Sequence, residues 1–199
     1  MQLEVRDLTP SMWASVEKLF GKNGACGGCW CMFWRLKAGE PYASLKGPAL
    51  KRRFKARVAR GEIQGALAFA DGEPVGWVTY GPRTAFPRLE RVASFACQDA
   101  QKVWSVPCFF IKAGFRKQGL ASSLLRHALR RIRESGAPAA EGYPVKAKPG
   151  GRLAASFLYT GTVPMFERAG FVLAAPSPRA KVRMRCPLEA RPRARGERP

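Results

Sequence analysis

Along this chain of 199 residues the hydrophobic positions change period several times, and each change marks an element. Between Val103 and Ile111 apolar side chains fill both faces, with Trp104, Val106, Cys108 and Phe110 alternating against Val103, Phe109 and Ile111. A strand that is apolar on both faces is a central strand. Pro107 interrupts it, because proline has no N–H for the ladder, so the strand must bulge there or part from a neighbour. The period then lengthens. Leu120, Leu124, Ala128 and Ile132 recur every fourth residue, with Leu125 and Leu129 widening the stripe, which predicts an amphipathic helix. Gly136 closes it as a C-terminal cap and Pro138 bars continuation. Arg116-Lys117-Gln118-Gly119-Leu120-Ala121 joins strand to helix.

The same patterning supplies the remaining elements. Alternation over Gln2–Leu8 predicts a first strand. Thr9-Pro10 opens a helix to about Phe20, with Met12, Trp13, Val16, Leu19 and Phe20 inward. Gly47-Pro48 opens a second helix to about Arg60. Leu50, Phe54 and Val58 face in, and Lys51, Arg52, Arg53, Lys55, Arg57 and Arg60 cover its other sides. Ala66–Ala70 and Pro74–Tyr80 read as strands joined by an Asp71-Gly72 hairpin turn. Pro82–Gln101 reads as a loose connection. A strand at Ala139–Val145, a polar loop at Lys146–Gly151, a helix ending near Ala169, and strands at Phe171–Ala175 and Lys181–Leu188 complete the series. This order predicts a mixed α/β fold with helices on both faces, as one domain over residues 1–188. Residues 189–199 (EARPRARGERP) carry no apolar pattern and read as a basic disordered tail.

Composition narrows the class. With 46% hydrophobic residues a sizeable core can form. No apolar run approaches the ~20 residues of a membrane helix, and MQLEVRDLTP lacks a signal-peptide core, so a soluble, cytoplasmic protein is expected. The net charge of +21 exceeds what one phosphorylated ligand requires. An acidic or nucleic-acid partner for this basic surface stays open, as do a solvated surface with no partner and a homodimer. The six cysteines are expected as thiols. Cys26-x-x-Cys29-x-Cys31 offers three ligands where structural zinc takes four, so no metal is assigned.

A helix N-terminus presents unpaired amides and the positive end of a dipole, so a loop entering it is suited to a pyrophosphate. Gly119 permits close backbone approach, and Ala121 keeps the helix entrance narrow. The loop is not a P-loop, which would end in Gly-Lys-Ser/Thr, and lacks the first two glycines of a dinucleotide fingerprint.

Arg116-Lys117-Gln118-Gly119-Leu120-Ala121 resembles the Arg/Gln-x-x-Gly-x-Gly/Ala signature of the GNAT superfamily of acyl-CoA-dependent N-acyltransferases. Met165-Phe166-Glu167-Arg168-Ala169-Gly170-Phe171 resembles that superfamily's late helix with its Gly-Phe turn into a strand. The resemblance covers most of residues 1–188. It implies a GNAT-like α+β mixed sheet splayed at Trp104–Ile111, with acetyl-CoA as co-substrate in the cleft. It also implies an N-acetyltransferase moving acetyl to a primary amine by direct attack in a ternary complex.

By the same resemblance, backbone groups of Phe109, Phe110 and Ile111 would pair with the pantetheine arm. Amides of Lys117, Gln118, Gly119, Leu120, Ala121 and Ser122 would hold the pyrophosphate, with charge from Arg116 and Lys117. Phe166 stands near the cofactor where many members have a tyrosine, and phenylalanine cannot donate a proton. Tyr159 is the candidate replacement acid. Glu141 is the first candidate base, with Tyr143 on the same strand, and Cys108 is the ionisable group of the splayed strand. Cys29, Trp30, Phe33 and Trp34 are expected to wall the acceptor pocket or to be core. His127 is expected on the helix surface. A catalytically degenerate nucleic-acid binder and a cysteine-based thiol or metal sensor remain the alternatives.

Overall fold

A computed structural model of the chain describes residues 2–146 and 155–188. A seven-stranded mixed sheet runs in the order β1-β2-β3-β4-β5-β7-β6. Its strands are β1 (Leu3–Asp7), β2 (Gly65–Ala70), β3 (Glu73–Pro82), β4 (Trp104–Ile111), β5 (Ala139–Gly142), β6 (Val172–Leu173) and β7 (Met184–Pro187). The helices are α1 (Trp13–Phe20), α2 (Tyr42–Leu45), α3 (Pro48–Ala59), α4 (Leu120–Glu134) and α5 (Val163–Glu167). The expected tail at 189–199 and most of the expected polar loop at 146–151 lie outside the described residues. Among the described residues, no helix is long and apolar enough to cross a membrane.

Alternation along β2 divides the core. Ala66, Ala68 and Ala70 face α4, while Leu67 and Phe69 face α1 and α3. The small residues on the first side let α4 approach closely. A Cβ on Gly76 would already lie 3.1 Å from the Leu124 side chain. On the second side Phe20, Phe54 and Trp77 pack edge to face and stacked. Trp30 belongs to this core, between Trp13 and Phe20.

The strain at Pro107 is relieved in both ways open to the sequence. Thr79 pairs with Cys108 and Gly81 with Ser105, so Tyr80 opposes the two residues Val106 and Pro107 in a bulge. On the other side β5 runs parallel to β4 only from Trp104 to Val106. The bulge corrects the alternation expected from the sequence. Trp104 and Val106 before it, and Phe109 and Ile111 after it, all pack toward α4, leaving Cys108 and Phe110 on the opposite face.

Phe166 of α5 is sealed on the α4 side of this divergence, edge-on to Phe109 at 6.2 Å and to Phe171 at 4.8 Å. Gly142 leaves room for its ring, since a Cβ there would lie 2.0 Å from Phe166 Cε1. Gly142→Ala is therefore expected to lower stability by about 1–3 kcal/mol, the usual cost of overpacking, read as a reduced urea midpoint. An unchanged midpoint would mean that Phe166 does not hold this position.

The segment expected as a loose connection is compact. It forms three 3₁₀ turns at Arg83–Ala85, Pro87–Arg91 and Ala93–Phe95, with Phe86, Leu89 and Phe95 buried. His127 is also buried rather than on the helix surface. Its Nε2 bonds Asp7 Oδ1 at 2.7 Å, and Arg130 donates to its Nδ1 at 2.9 Å.

Candidate active site

Past Val106 the edge of β4 that faces β5 has no strand partner among the described residues. The chain leaves β4 through a 3₁₀ turn at Ala113–Phe115 and enters α4 at Gly119. Lys117 at φ 61 and Gly119 at φ 80 both occupy the left-handed region. Arg116 Nε donates to the Ile111 carbonyl at 3.0 Å, and Gln118 Nε2 to that of Gly114 at 3.0 Å. Two predicted cofactor residues thus brace the loop with their side chains. The first helical bond is Ser123 N to Gly119 O, and among the described residues the amides of Lys117 to Ser122 have no protein acceptor. Leu120 contributes only its amide, because its side chain is in the core. Six consecutive unpaired donors at the start of a 15-residue helix fit a pyrophosphate. The pantetheine and pyrophosphate of coenzyme A fit this edge and loop.

Two candidate catalytic residues are engaged elsewhere. Glu141 is fully buried, with Arg83 Nη1 at 2.8 Å and Arg183 Nη1 at 2.6 Å. Arg83, 1% exposed, also bonds Glu90 at 2.9 Å, the Tyr143 hydroxyl at 2.5 Å and the Phe95 carbonyl at 2.6 Å. Tyr143 is fully buried and hydrogen-bonded to Ser105 at 2.7 Å, and burial raises its pKa further above the ordinary value. With both oxygens in ion pairs inside the core, the Glu141 carboxylate is closed off from a substrate. Glu141 and Tyr143 instead tie the 83–95 turns to β4 and β5.

The other predicted residues meet on the same face of the sheet. Phe33 and Trp34 stand edge to face at 5.1 Å, and Phe33 meets Tyr42 at 5.2 Å. Lys181 Nζ donates to the Tyr159 hydroxyl at 2.7 Å, lies 4.0 Å from the centre of that ring and 5.8 Å from that of Trp34. Arg88 covers Phe33 at 4.1 Å. Burial raises the pKa of Tyr159, with the neighbouring Cys108 adding to it.

Burial brings Lys181 down to about 8, Cys108 opposing it. The ammonium is thus disfavoured in the folded state, so folding releases a proton between about pH 8 and the ordinary 10.5. Stability attributable to Lys181 is expected to rise with pH across that window. The stability difference between the natural protein and Lys181→Met, from urea titrations at several pH values, should grow in favour of the natural protein. A flat difference would place Lys181 in solvent.

Cys31 and Cys108 form a thiol pair. Burial opposes ionisation of Cys31, but the Cys108 thiol, the Arg35 guanidinium and Trp77 Nε1–H (3.2 Å) outweigh it and lower its pKa. The bond to Cys31 raises Cys108, and burial adds to it. Cys29 turns toward the Gly24 carbonyl at 3.8 Å, and burial pushes its thiol up to about 11. Cys26 is exposed. The cluster of the sequence is thus dispersed, and among the described residues no three His, Cys, Asp or Glu side chains converge as metal ligands.

Sequence reasoning missed Arg83, Arg88 and Lys181. The last had a signal. Lys181, Arg183 and Arg185 alternate with Val182, Met184 and Cys186, which join the core around α4. The cationic positions reach Tyr159, Glu141 and Asp99.

A parted central strand leading to a helix N-terminus with unpaired amides is an arrangement suited to an acyl-CoA. The acetyltransferase (GNAT) family model matches residues 30–141, more than half of the chain. The chain belongs to the GNAT acetyltransferase family, and acetyl-CoA is the co-substrate that membership carries. No curated protein matches it significantly.

Among solved structures, the fold is shared with a PaiA N-acetyltransferase from Thermoplasma acidophilum in complex with coenzyme A. Its TM-score is 0.55 at 13% identity, covering 94% of this chain and 99% of that one. An N-acetyltransferase from Staphylococcus aureus gives 0.58 at 10%, covering 95% and 100%. An acetyltransferase from Corynebacterium glutamicum, described as histone acetyltransferase HPA2 and related, gives 0.55 at 18%, covering 96% and 99%.

Proposed function

We propose that this protein transfers acetyl from acetyl-CoA to a primary amine by direct attack within a ternary complex. The observation that carries the reading is the edge of β4 from Pro107 to Ile111, which has no strand partner among the described residues, continuous with six amides entering α4 that have no acceptor among them. Backbone groups of Phe109, Phe110 and Ile111 pair with the pantetheine arm, and Lys117 to Ser122 hold the pyrophosphate. Exposed Lys117 adds charge there, as does the part of the Arg116 guanidinium not used on Ile111.

The acceptor enters from the side of Phe33, Trp34 and Tyr159. Its nitrogen bonds to the thioester carbonyl carbon, the carbon–sulfur bond breaks, and the thiolate leaves. Tyr159 is the acid for that thiolate. Its oxygen accepts from Lys181, which leaves its own proton to give. Glu141, held by Arg83 and Arg183, is assigned to architecture, and the amine proton passes to solvent. Phe166, sealed in the core and without a hydroxyl, has no part in proton transfer.

The nucleic-acid alternative loses ground on α3. Lys51, Arg53, Arg57 and Arg60 are paired with Glu17, Glu40 and Glu62, and Lys55 lies over the Trp13 ring.

Tyr159→Phe is the direct test of the acid. With any acetylated amine, kcat is expected to fall by about a hundredfold, the scale of a lost general acid, at unchanged acetyl-CoA affinity. Retention of kcat would remove Tyr159 from the chemistry.

A further inference from the structure

We infer that the acceptor amine carries an anionic group, carboxylate or phosphate, held by Arg88 and Lys181 across the aromatic wall of Phe33, Trp34 and Tyr159. This rests on the acetyltransferase reading and narrows its substrate class.

Several other cations of this chain are matched by carboxylates. Arg6 pairs with Glu4, Lys18 with Glu73, Arg53 with Glu40 and Arg131 with Asp7. The guanidiniums of buried Arg83 and part-buried Arg183 share Glu141. Arg88 and Lys181 are both half-buried, yet no carboxylate of the described residues lies within ion-pair distance of either. Their charges instead rest on rings: Arg88 on Phe33, and Lys181 on Tyr159 and Trp34.

Phe33 and Trp34 are in edge contact, so the two cations flank one continuous aromatic surface. Desolvation disfavours the charge of each, which is the mark of a cation that has lost water without gaining a counter-ion. Donors remain to be filled. Lys181 uses one N–H on Tyr159, and Arg88 makes no protein hydrogen bond among the described residues. Trp34 Nε1 is buried without an acceptor. Two unmatched cations repel a simple ammonium compound and attract one whose amine is balanced by an anion. The rings suit an apolar or aromatic body between the two groups.

The test compares matched acceptors with acetyl-CoA, following the acetylated product by mass spectrometry. Phenylalanine is set against phenylalaninamide and phenethylamine, and phosphoethanolamine against ethanolamine. The α-amine of phenylalanine is intermediate in basicity between its two neutral analogues, so basicity cannot imitate a preference for the carboxylate. The expected result is a kcat/KM roughly tenfold or more higher for the anionic member of at least one set. Whichever set responds identifies the anion. Arg88→Gln should bring that preference close to unity through KM, with acetyl-CoA affinity unaltered.

Neutral members that react as well as the anionic ones would overturn the inference. Binding of acetyl-CoA without acetylation of any member would also overturn it, leaving acetyl transfer to another acceptor class standing. A folded protein that does not bind acetyl-CoA would overturn the acetyltransferase reading and this one with it.

Discussion

Arg83→Met is expected to lower the stability of the fold by about 3–5 kcal/mol, the cost of removing one partner of a buried ion pair. This is a large share of the ~5–15 kcal/mol that holds a domain together. Methionine restores most of the volume, so the loss comes from the groups left behind. Glu141 keeps Arg183 but loses its partner at 2.8 Å, and the Phe95 carbonyl and Tyr143 hydroxyl lose their shared donor. The turns between Arg83 and Phe95 would come away from β4 and β5 with them. Urea unfolding followed by tryptophan fluorescence measures the effect. A loss below about 1 kcal/mol would match a solvent-exposed pair and contradict the buried network. Glu141→Gln should behave alike in kind, as a loss of stability rather than a selective loss of kcat in the protein that remains folded.

Gly119→Glu is expected to weaken acetyl-CoA binding by roughly a hundredfold or more, about 2.7 kcal/mol. Two causes add. Gly119 sits at φ 80, where an L-residue with a side chain pays of order 1–2 kcal/mol. A carboxylate at the entrance to α4 also places negative charge among the amides proposed to receive the pyrophosphate. No atom lies within 4 Å of a Cβ built at this position, so core packing should survive. Gly119→Ala, which carries the backbone strain without the charge, should give an intermediate affinity. Equal affinities for the natural protein and Gly119→Glu would place the pyrophosphate elsewhere.

Elements governed by local chemistry were legible in the sequence. The period change between Phe110 and Leu124, the Asp71-Gly72 hairpin with both residues at positive φ, and the Thr9-Pro10 helix start depend on neighbours within a few positions. Pro107 declared a conflict, and the structure answers it with both a bulge and a parted edge. The phase shift that follows could not be read, because a bulge is decided by the partner strand. Glu141 looked like a free carboxylate because its cations, Arg83, Arg183 and more distantly Arg185, are far away in sequence. The aromatic segment at Cys29–Arg35 divides for a similar reason. Trp30 and Cys31 both adopt positive φ, which turns consecutive side chains into different clusters. Trp30 goes to the core beside α1, and Phe33 and Trp34 to the face shared with Tyr159 and Lys181.

The most direct test of the whole account is a calorimetric titration of the natural protein with acetyl-CoA at two salt concentrations. One site per chain with micromolar affinity is expected, weakening as salt screens the phosphates. A folded protein that takes up no acetyl-CoA at millimolar concentration would contradict it.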